Sequence, residues 1–387
     1  MVYTDYESQL AVLRSKGNYR SLSSRIPQGK YVIAEDRTLL NLSSNDYLGL
    51  ASDPLLRQDF EAWVGERSYP LSASSSRLLA GNYPVHRQVE RQLATLFGRE
   101  DALLFNSGYH ANVGILPALA NKRSLIVADR LVHASLIDGM RLADAPHIRF
   151  HHQDLDQLER ILVKESPKYE RIFIVTESLF SMDGDITDLT RLVALKRSYP
   201  RVLLYVDEAH AFGCRGSHGL GIAEEQGCIP DIDLLIGTFG KALASMGAFV
   251  VCSSLLREYL INTARPFIFS TALPPYQVAW TSFLLERLAT WDDRRAHLAT
   301  ISHQLAQALY GEEKAMGATH ILPWVLGDNA TCLQVARELD EGDFYCLPIR
   351  TPTVPAGSAR IRFSLSADMT ERDIATLSSL IQHMHRL

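Results

Sequence analysis

Short apolar runs alternate with longer helical stretches along the chain from about residue 55 onward. Several of the runs are bounded by Gly, Asp or Ser, which is typical of strands that end in turns. Strands of this length separated by helices indicate a mostly parallel sheet that is covered by helices on both faces. The predicted strands are residues 102–105, 124–128, 148–151, 171–176, 202–206, 234–236 and 247–251.

The pattern changes after the pair Pro274 and Pro275. A long helical stretch is predicted from Tyr276 to about Tyr310, and a terminal helix is predicted from Thr370. Between these helices lie the apolar runs 321–325, 344–347 and 359–365. This order of elements predicts a smaller C-terminal domain of the α+β class.

The first fifty residues have a pattern of their own. Residues 6–17 are predicted to form an amphipathic helix that ends at a glycine, and residues 30–42 a hairpin with Glu35, Asp36 and Arg37 at its turn. We therefore predict three parts, which are an N-terminal segment (1–50), a large α/β domain (51–285) and a small C-terminal domain (286–387).

Composition narrows the class of protein. The chain has 387 residues, of which 47% are hydrophobic, and a net charge of -5 without acidic or basic blocks, so nucleic acid and anionic membranes are not expected partners. No apolar run is long enough to span a membrane, and the first ten residues contain no apolar segment of a secretory signal. The five cysteines show no paired spacing, so neither disulfides nor a zinc site is expected. We expect a cytoplasmic enzyme without a metal.

Polar side chains follow five of the predicted strands, where the carboxyl ends of parallel strands place ligands. Lys241 follows the run 234–236 and has almost no charged neighbours, so its amine could form a Schiff base. Asp207 follows the run 202–206 and could keep a pyridine nitrogen protonated. A lysine and an aspartate in these roles are what pyridoxal 5'-phosphate (PLP) requires as an electron sink.

Each of these residues has an alternative interpretation. Lys241 could be a surface lysine in a turn, and Asp207 could cap the next helix. Asp207, Glu208 and His210 also resemble part of a metal-ligand set, but no fitting further ligand is evident. His133 could be a structural histidine or an imidazole that stacks on a flat cofactor ring.

Three further segments are candidates for ligand binding. Residues 106–109 open a helix after a strand, where exposed N–H groups can bind phosphate. The small-residue loop 71–77 is either an ordinary turn or a close approach of backbone to a ligand. Arg360 and Arg362 alternate on a predicted strand, so they point to one face. We expect one of these arginines to lie on a solvated strand face and the other to clamp a substrate carboxylate.

The motifs occur in an order that resembles the α-oxoamine synthases, which are fold-type I PLP-dependent enzymes. The resemblance runs from about residue 18 to the C-terminus, and one loop departs from it, because many members carry glycines where this chain has the residues 72–76. It rests on the segments 43–49, 129–136, 177–185, 206–210 and 238–241.

The resemblance implies roles for residues around the cofactor. Lys241 would carry the Schiff base, Asp207 would pair with the pyridine nitrogen, and His210 would contact the ring hydroxyl. His133 would stack on the ring. The remaining cofactor residues would be Gly108, Tyr109, Ser181 and Thr238, with the last two near the phosphate, and Ser270 and Thr271, which would reach a phosphate in the partner subunit of a homodimer with shared sites.

The resemblance also implies substrates. The segment 349–362 is most similar to the members that join L-alanine to a pimeloyl thioester, on coenzyme A or an acyl carrier protein. Asn45 and Arg362 would hold the amino-acid carboxylate, and Thr353 and Arg20 would lie near the acyl substrate, with Arg25 as the alternative to Arg20. Two other functions stay open, namely glycine C-acetyltransferase or another α-oxoamine synthase, and a catalytically inactive partner subunit on the same fold.

Overall fold

The computed structural model of the chain describes residues 3–22, 24–34 and 36–384. By packing, the chain divides into two compact units. The first unit contains residues 1–52, 182–184 and 296–387, and the second contains residues 53–181 and 185–295. The first unit thus combines both ends of the chain. Whether the segments 1–50, 51–285 and 286–387 are separate domains stays a prediction.

The second unit is built on a seven-stranded sheet with the order β4-β10-β9-β8-β7-β5-β6. All neighbours pair in parallel except β10, which is antiparallel to both β4 and β9. The mostly parallel sheet predicted from the sequence is therefore confirmed. Its strands are β4 (Asp101–Phe105), β5 (Ser124–Asp129), β6 (His147–Phe150), β7 (Arg171–Glu177), β8 (Val202–Asp207), β9 (Leu234–Thr238) and β10 (Ala248–Cys252).

Helices connect these strands and bury their apolar faces against the sheet, as in the core formed by Ile115, Leu136, Phe173 and Ile236. Ser107 and His133 accept backbone N–H groups at the starts of α4 and α5, which fixes where these helices begin. The helices are α2 (Pro54–Val64), α3 (Pro84–Leu96), α4 (Gly108–Leu119), α5 (Ala134–Leu142), α6 (Leu155–Glu165), α7 (Leu189–Ser198), α8 (Ile222–Glu225), α9 (Ser254–Thr263), α10 (Arg265–Phe269) and α11 (Pro275–Arg287).

The helical stretch predicted from Tyr276 to about Tyr310 is confirmed, but it is interrupted. Helix α11 ends at Arg287, a 3-10 turn covers Leu288–Thr290, and α12 (Asp292–Tyr310) begins after it. The buried Arg295 guanidinium donates to the carbonyl of Leu288 at 2.8 Å, so it satisfies a carbonyl group that the interrupted helix leaves open.

The first unit contains a four-stranded sheet, with the order β1-β2-β3-β12, and a three-stranded sheet, with the order β11-β14-β13. The predicted hairpin is confirmed as β2 paired with β3, although Glu35 lies outside the described residues. Helix α1, predicted to be amphipathic, has no buried side chain. The elements of this unit, beside most of α12, are α1 (Thr4–Ser15), β1 (Ile26–Gln28), β2 (Tyr31–Ala34), β3 (Arg37–Asn41), α13 (Glu312–Ala315), β11 (Ile321–Gly327), α14 (Asn329–Glu341), β12 (Phe344–Tyr345), β13 (Pro348–Ile349), β14 (Ala359–Ser364) and α15 (Glu371–Met384).

None of the helices in the described part of the chain is both long enough and apolar enough to cross a membrane.

A buried carboxylate ties α3 to the edge of the large sheet. Glu90 is fully buried and accepts from Arg77 at 2.9 Å and from Arg257 at 2.8 Å. It also accepts the backbone N–H of Leu104 in β4 at 3.3 Å. Burying an unpaired charge costs free energy. The bonds from Arg77, Arg257 and Leu104 together offset this cost for Glu90.

We expect Glu90→Ala to lower the free energy of unfolding by about 3–5 kcal/mol, because the Arg77 side chain, which is 9% exposed, loses its carboxylate partner, and Arg257 keeps the longer contact of 3.4 Å with Asp101. The measurement is urea-induced unfolding of the purified protein followed by circular dichroism. Glu61→Ala is the matched control, since the Arg57–Glu61 pair is exposed and should contribute little. Equal destabilisation by the two variants would contradict this account.

Candidate active site

The carboxyl ends of the parallel strands surround a cavity of about 170 Å³ in the second unit. The structure brings together seven of the predicted residues in its wall, and four residues that the site prediction did not include. The predicted residues are Gly108, Tyr109, His133, Asp207, His210, Thr238 and Lys241, and the additional ones are Asn112, Ser135, Glu177 and Ala209.

Lys241 lies in the turn that follows β9. Its Nζ is 2.7 Å from Nε2 of the buried His210. The turn is closed by backbone bonds, among them Ala244 N–H to the Lys241 carbonyl at 2.9 Å, and Thr238 Oγ1 donates to the Gly247 carbonyl at 3.0 Å. The half-buried lysine amine is thus held at a defined place in the cavity wall.

Asp207 ends β8 and is 5% exposed. Its Oδ1 accepts the backbone N–H of Ala209 at 2.9 Å, and its Oδ2 accepts Asn112 Nδ2 at 2.9 Å. The first of these bonds resembles the capping role considered from the sequence, but the turn after β8 does not continue into a helix. These two N–H donors fix the positions of both carboxyl oxygens.

Glu177 ends β7, and its Cα is paired with that of Asp207 across the parallel ladder. Its side chain is 3% exposed and accepts the His133 backbone N–H at 2.6 Å. Burial, together with the charge of Asp207, raises the pKa of Glu177 to about 8. Glu177 is therefore largely protonated at neutral pH.

His133 is the N-cap residue of α5, where its Nδ1 accepts the Ser135 backbone N–H at 3.2 Å. Burial in the cavity wall and the nearby Lys241 amine lower its pKa, against the opposing effect of Asp207. His133 is therefore an uncharged imidazole at neutral pH.

Helix α4 points its N-terminus at the cavity, with Gly108 and Tyr109 in the first turn after the capping Ser107. A side-chain carbon at Gly108 would lie 3.9 Å from Thr238 Cβ, so the glycine keeps the space between these two residues open. A helix N-terminus beside such a space is suited to bind a phosphate group.

Three predicted cofactor residues do not line this cavity. Ser181 is half-buried, Ser270 is half-buried, and Thr271 is exposed with its carbonyl accepting Asn106 Nδ2 at 2.7 Å. Their predicted contacts with the cofactor stay predictions.

The predicted carboxylate clamp lies in the first unit. Arg362 donates to Asn45 Oδ1 at 3.4 Å, and to Tyr47 OH at 3.1 Å and Ser364 Oγ at 2.6 Å. Asn45 in turn accepts the Tyr47 hydroxyl at 2.9 Å. The structure thus brings together the two residues that were predicted to hold the amino-acid carboxylate.

The expectation that one of the two β14 arginines lies on a solvated strand face is wrong. Arg360 and Arg362 are 6% and 9% exposed. Arg360 is tied into the protein by an ion pair with Asp183 and by a bond to the Ser358 carbonyl at 3.0 Å. Because its charge is already neutralised, Arg360 is the poorer candidate for a substrate clamp.

The residues predicted near the acyl substrate also meet in the first unit. Arg20 Nη2 donates to Thr353 Oγ1 at 2.8 Å, and both residues are exposed. Arg25 instead forms an ion pair with Asp340 and stacks over the Tyr345 ring at 4.9 Å. Geometry therefore favours Arg20 over Arg25 as the residue available to a ligand.

Residues 3–22, 24–34 and 36–384 contain no cluster of three or more His, Cys, Asp or Glu side chains suited to a metal ion.

A model of the family "aminotransferase class I and II" matches residues 37–381. The 8-amino-7-oxononanoate synthase of Haemophilus ducreyi is 54% identical over 378 residues, which are 95% of this chain and 97% of that protein. The chain belongs to the 8-amino-7-oxononanoate synthase family, within the class I and II aminotransferases. It is a PLP-dependent acyltransferase, and the resemblance predicted from the sequence motifs is confirmed.

Solved structures agree with this family. Serine palmitoyltransferase from S. paucimobilis, solved with bound PLP–myriocin, superposes with a TM-score of 0.88 at 28% identity and covers 99% of this chain and 97% of that one. The 8-amino-7-oxononanoate synthase of Francisella tularensis has a TM-score of 0.76 at 28% identity, over 90% of this chain and 98% of that one. The fold-type I PLP-dependent transferase fold is therefore confirmed.

The cavity of the second unit fits PLP by the chemistry of its groups. It contains one amine for the aldehyde, one buried carboxylate for the pyridine nitrogen, and one uncharged imidazole for the ring face. The N-terminus of α4 supplies backbone N–H groups for the phosphate.

We expect borohydride reduction of the holoenzyme to fix the cofactor on Lys241, because this amine is the one within the cavity wall. The measurement is proteolysis followed by mass spectrometry of the cofactor-labelled peptide. Lys196→Ala is the control and should leave the adduct in place, since Lys196 pairs with Asp233 at 2.7 Å and does not line the cavity. An adduct on another lysine would contradict the assignment.

Proposed function

We propose that the protein joins L-alanine to a pimeloyl thioester, carried on coenzyme A or on an acyl carrier protein. The products are 8-amino-7-oxononanoate, carbon dioxide and the free thiol, in biotin biosynthesis. The 54% identity to a protein named 8-amino-7-oxononanoate synthase supports this choice of substrates. The structural observation that carries the proposal is the contact of 2.7 Å between Lys241 Nζ and His210 Nε2, inside a cavity that also contains Asp207.

When bound, PLP supplies an electron sink for negative charge at Cα of the amino acid. Lys241 then acts as the general base that takes the Cα proton of L-alanine, since it is the amine held in the cavity. His210 orients the lysine amine through their direct contact. Asp207 would pair with the pyridine nitrogen and favour its protonated form, and the N–H groups of Asn112 and Ala209 hold the carboxyl oxygens in place.

Residues of the first unit bind the two substrates in this proposal. Arg362 and Asn45 hold the carboxylate of L-alanine, and Arg20 and Thr353 contact the acyl substrate. A bond forms between Cα of alanine and the thioester carbonyl carbon, and the thiol leaves. The carboxylate then leaves as carbon dioxide, and a proton returns to Cα.

We also propose a homodimer with shared sites, in which Ser270 and Thr271 of one subunit reach the cofactor phosphate bound by the other. Ser270 and Thr271 do not line the cavity of their own chain, and a shared site would explain why the family pattern nevertheless includes them.

The substrates are tested by assaying the purified holoenzyme with L-alanine or glycine against pimeloyl or acetyl thioesters, with mass spectrometry of the products. We expect 8-amino-7-oxononanoate from L-alanine and the pimeloyl thioester, and little product from glycine and acetyl-CoA. Parallel assays on pimeloyl-CoA and on the pimeloyl acyl carrier protein identify the carrier.

Lys241→Ala is the control for this assay and should abolish turnover, because no other amine lines the cavity. Preference for glycine and acetyl-CoA would replace the proposal with glycine C-acetyltransferase. Normal turnover by the lysine variant without added amines would overturn the role of Lys241.

For the acyl substrate, we expect Arg20→Ala to raise KM for the pimeloyl thioester about tenfold, the effect of losing one charge-assisted hydrogen bond, while kcat changes little. The measurement is steady-state kinetics with the thioester varied at saturating L-alanine. Arg25→Ala is the matched control and should leave this KM unchanged. The reverse result would assign the contact to Arg25.

A further inference from the structure

A chain of buried hydrogen bonds connects Asp207 to His133. It begins at Asn112, whose Nδ2 lies 2.9 Å from Asp207 Oδ2 and whose Oδ1 lies 2.6 Å from the Tyr205 hydroxyl. An amide nitrogen only donates and an amide oxygen only accepts, so Nδ2 donates to Asp207 and the tyrosine hydroxyl donates to Oδ1. These two partners fix the orientation of the Asn112 side chain.

The second N–H of Asn112 points to Ser135, since Nδ2 lies 2.9 Å from Ser135 Oγ. The serine oxygen therefore accepts from Asn112. The hydroxyl keeps its own hydrogen for donation, and the neighbour within reach is His133 Nδ1, at 2.8 Å.

A second donor reaches the same ring nitrogen. The Ser135 backbone N–H lies 3.2 Å from His133 Nδ1, and a backbone N–H can only donate. A nitrogen that receives two hydrogens cannot carry one of its own. The single proton of the uncharged ring must then sit on Nε2.

Burial makes this chain of bonds hard to replace by water. Asn112 and Ser135 are each 1% exposed, and Tyr205 is fully buried. Protonation of Nδ1 would set an N–H against two other donors, which agrees with the direction in which the pKa of His133 is shifted.

We propose that Asn112 and Ser135 are positioning residues that hold His133 as the tautomer with its proton on Nε2. His133 then presents its Nε2–H to the cavity as a hydrogen-bond donor. It does not act as a base, because Nδ1 already accepts from Ser135. The group it recognises is an oxygen acceptor, which is a carboxylate or carbonyl oxygen of the substrate. The identity of that substrate rests on the proposed function, whereas the tautomer is a property of the chain.

The tautomer is read directly by nitrogen NMR of the holoenzyme labelled with ¹⁵N-histidine at neutral pH, with His133→Asn used to assign the signals. We expect Nδ1 of His133 to resonate as an unprotonated nitrogen and Nε2 as a protonated one. Protonation of Nδ1, whether in the other tautomer or in the charged ring, would overturn the proposal. This result does not depend on which substrates the enzyme uses.

Ser135→Ala removes one of the two donors to Nδ1, so we expect a measurable fraction of His133 to carry its proton there. We expect kcat/KM for L-alanine to fall about tenfold, the effect of one hydrogen bond that is no longer correctly placed. Ser198→Ala is the matched control, since Ser198 bonds only its own helix at the surface. It should leave both the spectrum and the kinetics unchanged.

Asn112→Leu provides a second variant of similar side-chain volume and should shift the same NMR signals. If Ser135→Ala and Asn112→Leu both show the wild-type spectrum of His133, the positioning role is refuted. If the spectra shift as expected but no substrate pair of the family is turned over, the proposed function fails and the tautomer assignment stands.

Discussion

The buried carboxylate of Asp207 is the constraint on which the rest of the site depends. It ends a central strand, has almost no contact with solvent, and lies beside a second carboxyl group on the neighbouring strand. Two negatively charged carboxyl groups on paired residues of neighbouring strands repel each other strongly when both are buried. Asn112 and Ala209 donate to Asp207 and hold both of its oxygens, and burial together with the charge of Asp207 raises the pKa of Glu177 to about 8.

The strands of the large sheet could be predicted from the sequence because their apolar runs are short and separated by helices. The chemistry at their ends could also be predicted, since Lys241, Asp207 and His133 each follow such a run within a few residues. In a parallel sheet the carboxyl ends of the strands lie at the same edge. These three residues therefore line one cavity in the structure. The pattern of apolar runs predicts neither the order of the strands in the sheet nor the antiparallel direction of β10.

The residues that sequence reasoning missed lie where no local pattern marks them. Asn112 is in the middle of α4 and Ser135 is in the first turn of α5, and both become part of the site only through the packing of these helices. Glu177 directly follows the predicted strand 171–176, but its contact with the backbone of His133 depends on the neighbouring strand. Arg360 and Arg362 are both buried on β14, but Arg360 pairs with Asp183 whereas Arg362 donates to Asn45. Ser74, in the loop without the expected glycines, adopts φ 52°, a conformation that glycine accepts more readily.

The sheet that joins β3 to β12 has a consequence for synthesis of the protein. Ser43 accepts the N–H of Leu347, 304 residues later, so this part of the first unit cannot close until most of the chain has left the ribosome. At about 5–20 residues per second, the delay is roughly 15–60 s. During that interval Val32, Leu39 and Leu42, which are buried in the finished protein, lack their native covering. These apolar residues of the nascent chain therefore stay exposed for longer than synthesis of the strands of the seven-stranded sheet takes. Exposed apolar segments of this kind are bound by chaperones.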